Sequence, residues 1–141
     1  MTRTERSRLA TGTRWLVCAG GVLCGVGVAA GSFGAHGLRG LLEASGRADN
    51  WETAVRYCLY HGLAMLVTAV AAELPRAGRA VPLLRGAGWS FLFGTVIFSG
   101  CLAALALTGV RLLGAIVPIG GGLFIVGWML VAAAAFRFET N

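Results

Sequence analysis

Trp15-Leu16-Val17-Cys18-Ala19-Gly20-Gly21-Val22-Leu23-Cys24-Gly25-Val26-Gly27-Val28-Ala29-Ala30-Gly31-Ser32-Phe33 decides the fold: 19 consecutive residues without a charge. A helix needs about 20 apolar residues to cross the hydrocarbon core of a bilayer. A secretory signal has a shorter apolar region, about 7–15 residues, and a small-x-small cleavage site ahead of a soluble domain. Neither fits here, and Leu23 stands directly before Cys24, where a lipoprotein signal wants a small residue. The stretch therefore reads as a retained transmembrane helix. Its pairs Gly21/Gly25 and Gly27/Gly31 have small-xxx-small spacing. Such spacing stacks glycines on one face and lets a partner helix approach closely.

The rest of the chain repeats the theme. Of 141 residues, 57% are hydrophobic and only 13% charged, and the mean hydropathy is +0.76. Soluble domains carry about 25% charged residues, and one this small could not hide so much apolar surface. A second apolar segment runs from about Trp51 to Leu74. Its uncharged part, Tyr57–Ala72, has only 16 residues, so the helix must take in the Trp51–Arg56 turn. A third lies within Gly86–Val110 and a fourth within Leu112–Phe136. In the fourth, Pro118 denies the Gly114 carbonyl its helical partner, and Gly120, Gly121 and Gly122 follow. A kink or a short unwound stretch is predicted there. In the first loop, 34–50, Leu38, Leu41 and Leu42 share one face of a short interfacial helix. Gly46 would end that helix, and Asp49 or Asn50 would cap the next. Pro75, Gly78 and Pro82 break the chain in the second loop, 73–86. The expected architecture is an all-α integral membrane protein. One domain over 15–136 forms four transmembrane helices in an up-down bundle, with cytoplasmic tails at 1–14 and 137–141. The N-terminal tail is expected to be disordered or interfacial.

Every one of the 12 cations is arginine, and the net charge is +6. Arg3, Arg6, Arg8 and Arg14 precede the first span, Arg76, Arg79 and Arg85 lie in the second loop, and Arg137 follows the fourth span. The other side carries Arg39, Arg47 and Arg111, with Arg56 as a fourth. The positive-inside rule then puts both termini in the cytoplasm of a bacterial inner membrane. Arginines scattered between spans are explained by orientation, so nucleic acid is not an expected partner. Cys18, Cys24, Cys58 and Cys101 form no CxxC and fall mostly inside spans. They read as small apolar residues rather than a metal site or a disulfide framework.

Polar residues gather at the start of the second span. At 100° per residue, Glu52, Thr53, Arg56, Tyr57, Tyr60, His61 and Thr68 fall in one half of the helix. Trp51, Val55, Cys58, Leu59, Gly62, Met65, Leu66 and Ala69 fall in the other. Polar groups facing hydrocarbon are costly, so the polar half is expected to face the bundle interior, with Glu52 and Arg56 paired at i,i+4. The remaining histidine, His36, lies in Gly31-Ser32-Phe33-Gly34-Ala35-His36-Gly37-Leu38, at the same membrane face. The candidate pocket is His36, Glu52, Arg56, Tyr57, Tyr60 and His61. Gly21, Gly25, Gly27, Gly31, Pro118, Gly120 and Gly121 are the candidate packing or kink positions.

Four motifs carry a family resemblance. They are Gly31–Leu38, the run Trp51-Glu52-Thr53-Ala54-Val55-Arg56-Tyr57 with His61, Phe98-Ser99-Gly100, and Gly114-Ala115-Ile116-Val117-Pro118-Ile119-Gly120-Gly121 followed by Gly127-Trp128. In this order they resemble a small bacterial inner-membrane family, domain of unknown function 423, whose eukaryotic relatives are similar to transmembrane protein 256 of mitochondria. The resemblance covers roughly residues 15–136 and implies a four-helix integral membrane protein. Cys101 and Ala103 depart from it, standing where bulkier neighbours are expected.

Three functions compete. The leading one is a non-catalytic structural or accessory subunit, packing with partner helices through its Gly-rich faces as a homo-oligomer or within a larger membrane complex. The second is an oligomeric small-molecule or ion carrier or channel using the outer polar cluster. The third is haem or metal binding through His36 and His61. No phosphate loop, nucleophile elbow or HExxH is present, so neither enzymatic activity nor a bound cofactor is expected.

Overall fold

The computed structural model describes residues 3–139, and all regular structure among them is helical. Helix α1 spans Arg3–Ala35, α2 Arg39–Ala44, α3 Ala48–Ala72, α4 Val81–Thr108 and α5 Leu112–Ala135, with a 3-10 turn at Gly78–Ala80 leading into α4. Four segments are long and apolar enough to cross a membrane: Gly12–Ala35, Ala48–Ala72, Gly78–Thr108 and Leu112–Ala135.

Helix α1 starts earlier than expected. Residues 3–14 continue the first span as helix instead of forming a disordered tail. No glycine or proline interrupts 3–11, and lengthening a helix avoids the cost of nucleating one. The 33 residues of α1 extend roughly 50 Å, more than a hydrocarbon core of about 30 Å, so its first turns project beyond the bilayer. Residues 1–2 and 140–141 of the two expected tails lie outside the described residues.

The loops follow from local chemistry. Helix α2 forms where the leucine spacing predicts it, and Gly46 (φ 64°) takes the left-handed conformation that turns the chain toward α3. Helix α3 begins at Ala48 with Arg47 at its N-cap, so Asp49 sits in the first turn and complements the positive helix end. Pro82 starts α4 rather than breaking it, because a first-turn proline lacks only an N–H that has no helical partner. Gly109 (φ 74°) ends α4, donating its N–H to the Leu105 carbonyl at 2.8 Å. Helix α5 runs unbroken through Pro118, and the unwound stretch expected at 118–122 is absent. Close packing of Gly120 on Phe98 and the Gly94 carbonyl holds that turn in place.

Helix α1 packs on α3, α3 on α4 and α4 on α5, while α1 meets α4 toward one end, where Gly12 lies against Arg85, Leu16 against Gly88, and Trp15 stacks on Trp89 at 4.2 Å. Glycines make the close contacts. A Cβ on Gly20 would stand 2.8 Å from the Gly62 carbonyl, one on Gly27 2.8 Å from Leu59, and one on Gly120 2.6 Å from the Phe98 nitrogen. Between lipid-embedded helices van der Waals contact replaces the hydrophobic effect as the driving force, so such approach is the main source of cohesion. Phe91, Leu16, Met65 and Leu84 are the largest fully buried side chains.

The interior face of α3 is the reverse of the expected one. Trp51, Ala54, Cys58, Gly62, Met65 and Ala69 are buried, whereas Glu52, Arg56, Tyr57 and Tyr60 are exposed. Small and apolar side chains allow α1 and α4 to approach. The charged residues, near the start of α3, reach water at the membrane interface without entering the bundle. From the polar half, His61 and Thr68 alone are buried.

Candidate functional site

Helix α3 contributes to several cavities, two of which hold the polar residues of its first half. The first lies where α1, α2 and α3 meet, has a volume of about 480 Å³, and carries four charges: Arg39, Glu43, Glu52 and Arg56. Its wall is Trp51, buried, whose indole N–H donates to the Ala30 carbonyl at 3.0 Å. Gly34 lies so close to this ring that a Cβ there would collide with it, which gives the second glycine of Gly31–Leu38 its reason. Leu42 of α2 is buried against Trp51 and Ala106, fixing the short helix as a lid on the cavity's edge. Arg39 Nε donates to Glu43 Oε1 at 2.8 Å, and that hydrogen bond together with the carboxylate charge holds the guanidinium above its usual range. Glu52 and Arg56, one helical turn apart, form no such pair.

The second cavity, about 760 Å³, opens between α3 and α5 and is lined by Tyr57, Tyr60, His61, Phe98, Phe124 and Trp128 with Pro118 and Gly121 below them. His61 is 4% exposed and fully engaged. Its Nδ1 is 2.9 Å from the Tyr57 carbonyl, an acceptor, so Nδ1 carries the proton. Nε2 then accepts the Trp128 indole N–H at 3.3 Å. The imidazole stacks on Phe124 with centroids 3.4 Å apart. Its neutral tautomer is thus specified by both partners, and neither nitrogen is left for a ligand.

The six candidate pocket residues therefore do not converge. Glu52 and Arg56 belong to the first cavity, Tyr57, Tyr60 and His61 to the second. His36 is exposed in the turn after α1 and lines neither. The Trp51 indole bonds Ala30, Cys58 Sγ the Leu23 carbonyl at 3.2 Å, and Gly62 packs on Gly20, so α3 runs down α1 residue by residue. His61, ten positions after Trp51, lies roughly 15 Å deeper than the His36 end. Joint ligation of a haem or metal by His36 and His61 of one chain is excluded by that separation. Among the described residues, no group of three or more His, Cys, Asp or Glu is placed to hold a metal ion.

The glycines divide as well. Gly27, Gly31 and Gly120 are used inside the chain, a Cβ on Gly121 would stand 3.8 Å from Phe98, and one on Gly21 or Gly25 would meet nothing within 4 Å. Aromatic residues left out of the candidate pocket line these sites: Phe91, Phe124 and Trp128 surround His61, and Trp51 lies between α1 and α3. Their signal was the pairing of aromatics with small residues on facing helices, such as Phe91 with Gly127.

A family model described as "Protein of unknown function (DUF423)" matches residues 30–121, the stretch from the end of α1 to Gly121 that holds all of the first cavity. The chain belongs to this family. Among its relatives, the UPF0382 membrane protein of Staphylococcus haemolyticus is 44% identical over 119 residues, covering 84% of this chain and 93% of the relative. That of Staphylococcus epidermidis strain RP62A is 47% identical over 111 residues, 79% of this chain and 86% of the relative. One from Staphylococcus aureus strain RF122 is 42% identical over the same length. No solved structure matches the chain.

Proposed function

We propose that this DUF423 protein is a non-catalytic accessory subunit of the bacterial inner (cytoplasmic) membrane that docks a partner helix through the open face of α1. The carrying observation is the division of its glycines. Those facing α3 are consumed by the fold, while Gly21 and Gly25 meet nothing within 4 Å. Cys18, Gly21, Gly25, Val28 and Ser32 are all exposed and recur at alternate steps of three and four, the spacing of a helix–helix seam. A second copy of this chain is the first partner to test. The up-down arrangement is supported by the pairings of α1 with α3 and of α4 with α5, such as Gly94 with Gly120 and Phe91 with Gly127. The arginine distribution supports cytoplasmic termini. A proline-bent α5 agrees with Pro118 lying inside that helix. The carrier reading is the weaker one, because the two cavities flanking α3 share no lining residue.

Cys18 makes the docking testable. In a variant whose other cysteines are alanine, oxidation of intact membranes should yield a Cys18-linked dimer, and Gly25→Leu should abolish it. Absence of both this dimer and any heavier assembly on native electrophoresis would overturn the proposal.

A further inference from the structure

We infer that the cavity between α3 and α5 binds an uncharged, lipid-soluble quinone, with the phenols of Tyr57 and Tyr60 donating to its carbonyl oxygens. Depth sets the problem. Tyr57 and Tyr60 come nine and twelve residues after the start of α3, roughly 14 and 18 Å along a helix of about 37 Å. Both rings therefore lie within a hydrocarbon core of about 30 Å, yet they are 36% and 56% exposed. His61 beside them has both nitrogens satisfied. The phenols differ: neither hydroxyl has a hydrogen-bond partner among the described residues. At a membrane interface a tyrosine tip reaches water; midway along a span it does not. A hydroxyl left facing hydrocarbon is costly, so an acceptor brought by a ligand would be favoured.

The wall selects the guest. At about 760 Å³ the cavity falls in the usual range of small-molecule sites, about 300–1,000 Å³. Its rings lie in similar planes: His61 and Phe124 differ by 5°, Tyr57 and Phe98 by 26°, Tyr57 and His61 by 28°. A flat ring can extend such an offset stack. Opposite the tyrosines, α5 presents Gly121 and Gly122 and so leaves room. A Cβ on Gly122 would meet nothing within 4 Å, and one on Gly121 would stand 3.8 Å from Phe98. No Asp, Glu, Lys or Arg is among the lining residues, so the guest is uncharged. The phenols donate, so it must accept. A flat, uncharged ring with carbonyl acceptors that dissolves in lipid is a quinone, and its tail would leave between α3 and α5 for the bilayer. An acyl chain would fill the space and leave both phenols unpaired. Helix α1 contributes no residue to this cavity, so the binding and the docking through α1 stand or fail separately.

The test is retention of a short-tailed naphthoquinone by the full chain, immobilised in mild detergent and washed, with bound quinone read by absorbance after extraction. Naphthalene bearing the same tail is the control probe. The quinone should be retained, and the naphthalene held roughly fivefold less or weaker still. The pair Tyr57→Phe/Tyr60→Phe keeps both rings and removes both donors. It should weaken retention of the quinone by roughly fivefold or more and leave that of the naphthalene unchanged. Gly121→Leu fills the cavity and should remove both probes, with thermal unfolding followed alongside; the tyrosine pair decides if that variant does not fold. No retention by the unsubstituted chain, equal retention of the two probes, or a tyrosine-pair variant that holds the quinone undiminished would each overturn the inference. So would a folded Gly121→Leu variant that keeps the quinone.

Discussion

At the residue scale, His61 is a structural histidine in an unusual place. A polar ring deep in a membrane helix needs partners for both nitrogens, and here one comes from its own helix and the other from Trp128, 67 positions away. Trp128→Phe leaves Nε2 without its donor. The expected cost is about 1 kcal/mol, read as a lower unfolding midpoint in detergent titrations. Replacing His61 and Trp128 together by Phe should cost less than the two single changes summed, because no orphaned group remains. The sequence marks both histidines as notable but does not say which is held. Helical periodicity sorts residues onto faces and is silent on which face is inside. Glu52 and Arg56 tip that balance wrongly if depth is ignored, since near a helix end they reach water from an outward face.

At the element scale, Arg47 joins the loop before α3 to the end of α4. Its Nε donates to the Ala106 carbonyl at 2.9 Å, placing a cation at the negative end of a helix and against Gly109. Arg47→Ala should destabilise by about 0.5–1 kcal/mol, and hydrogen exchange should speed up selectively in the last turn of α4. Span positions, the short α2 and the turn at Gly46 were all readable from apolar run lengths and breaker residues. Two features were not. Arg-rich sequence upstream of a span looks like a tail, yet nothing in it stops a helix that has already been nucleated. Pro118 with its glycines looks like a break, but packing of Gly120 against Phe98 is a tertiary contact that no local rule contains.

At the scale of the whole molecule, close glycine contacts hold the fold, and Gly21 and Gly25 stand on a face of α1 that no neighbour covers. The glycines expected on packing faces divide: Gly27, Gly31 and Gly120 pack inside the chain itself, whereas a Cβ on Gly21 or Gly25 would meet nothing within 4 Å. Substitution separates the two sets. Gly120→Ala drives a Cβ to 2.6 Å from the Phe98 nitrogen and should cost about 1–3 kcal/mol of stability. Gly21→Leu/Gly25→Leu should change monomer stability by no more than about 0.5 kcal/mol per site. The most direct test is the mass of the assembly carrying Gly21→Leu/Gly25→Leu, extracted with its native lipid and compared with that of the unsubstituted chain. A folded variant reduced to the mass of a single chain is the expected result; a variant that keeps the full assembly mass would contradict the assignment of α1 as the docking helix.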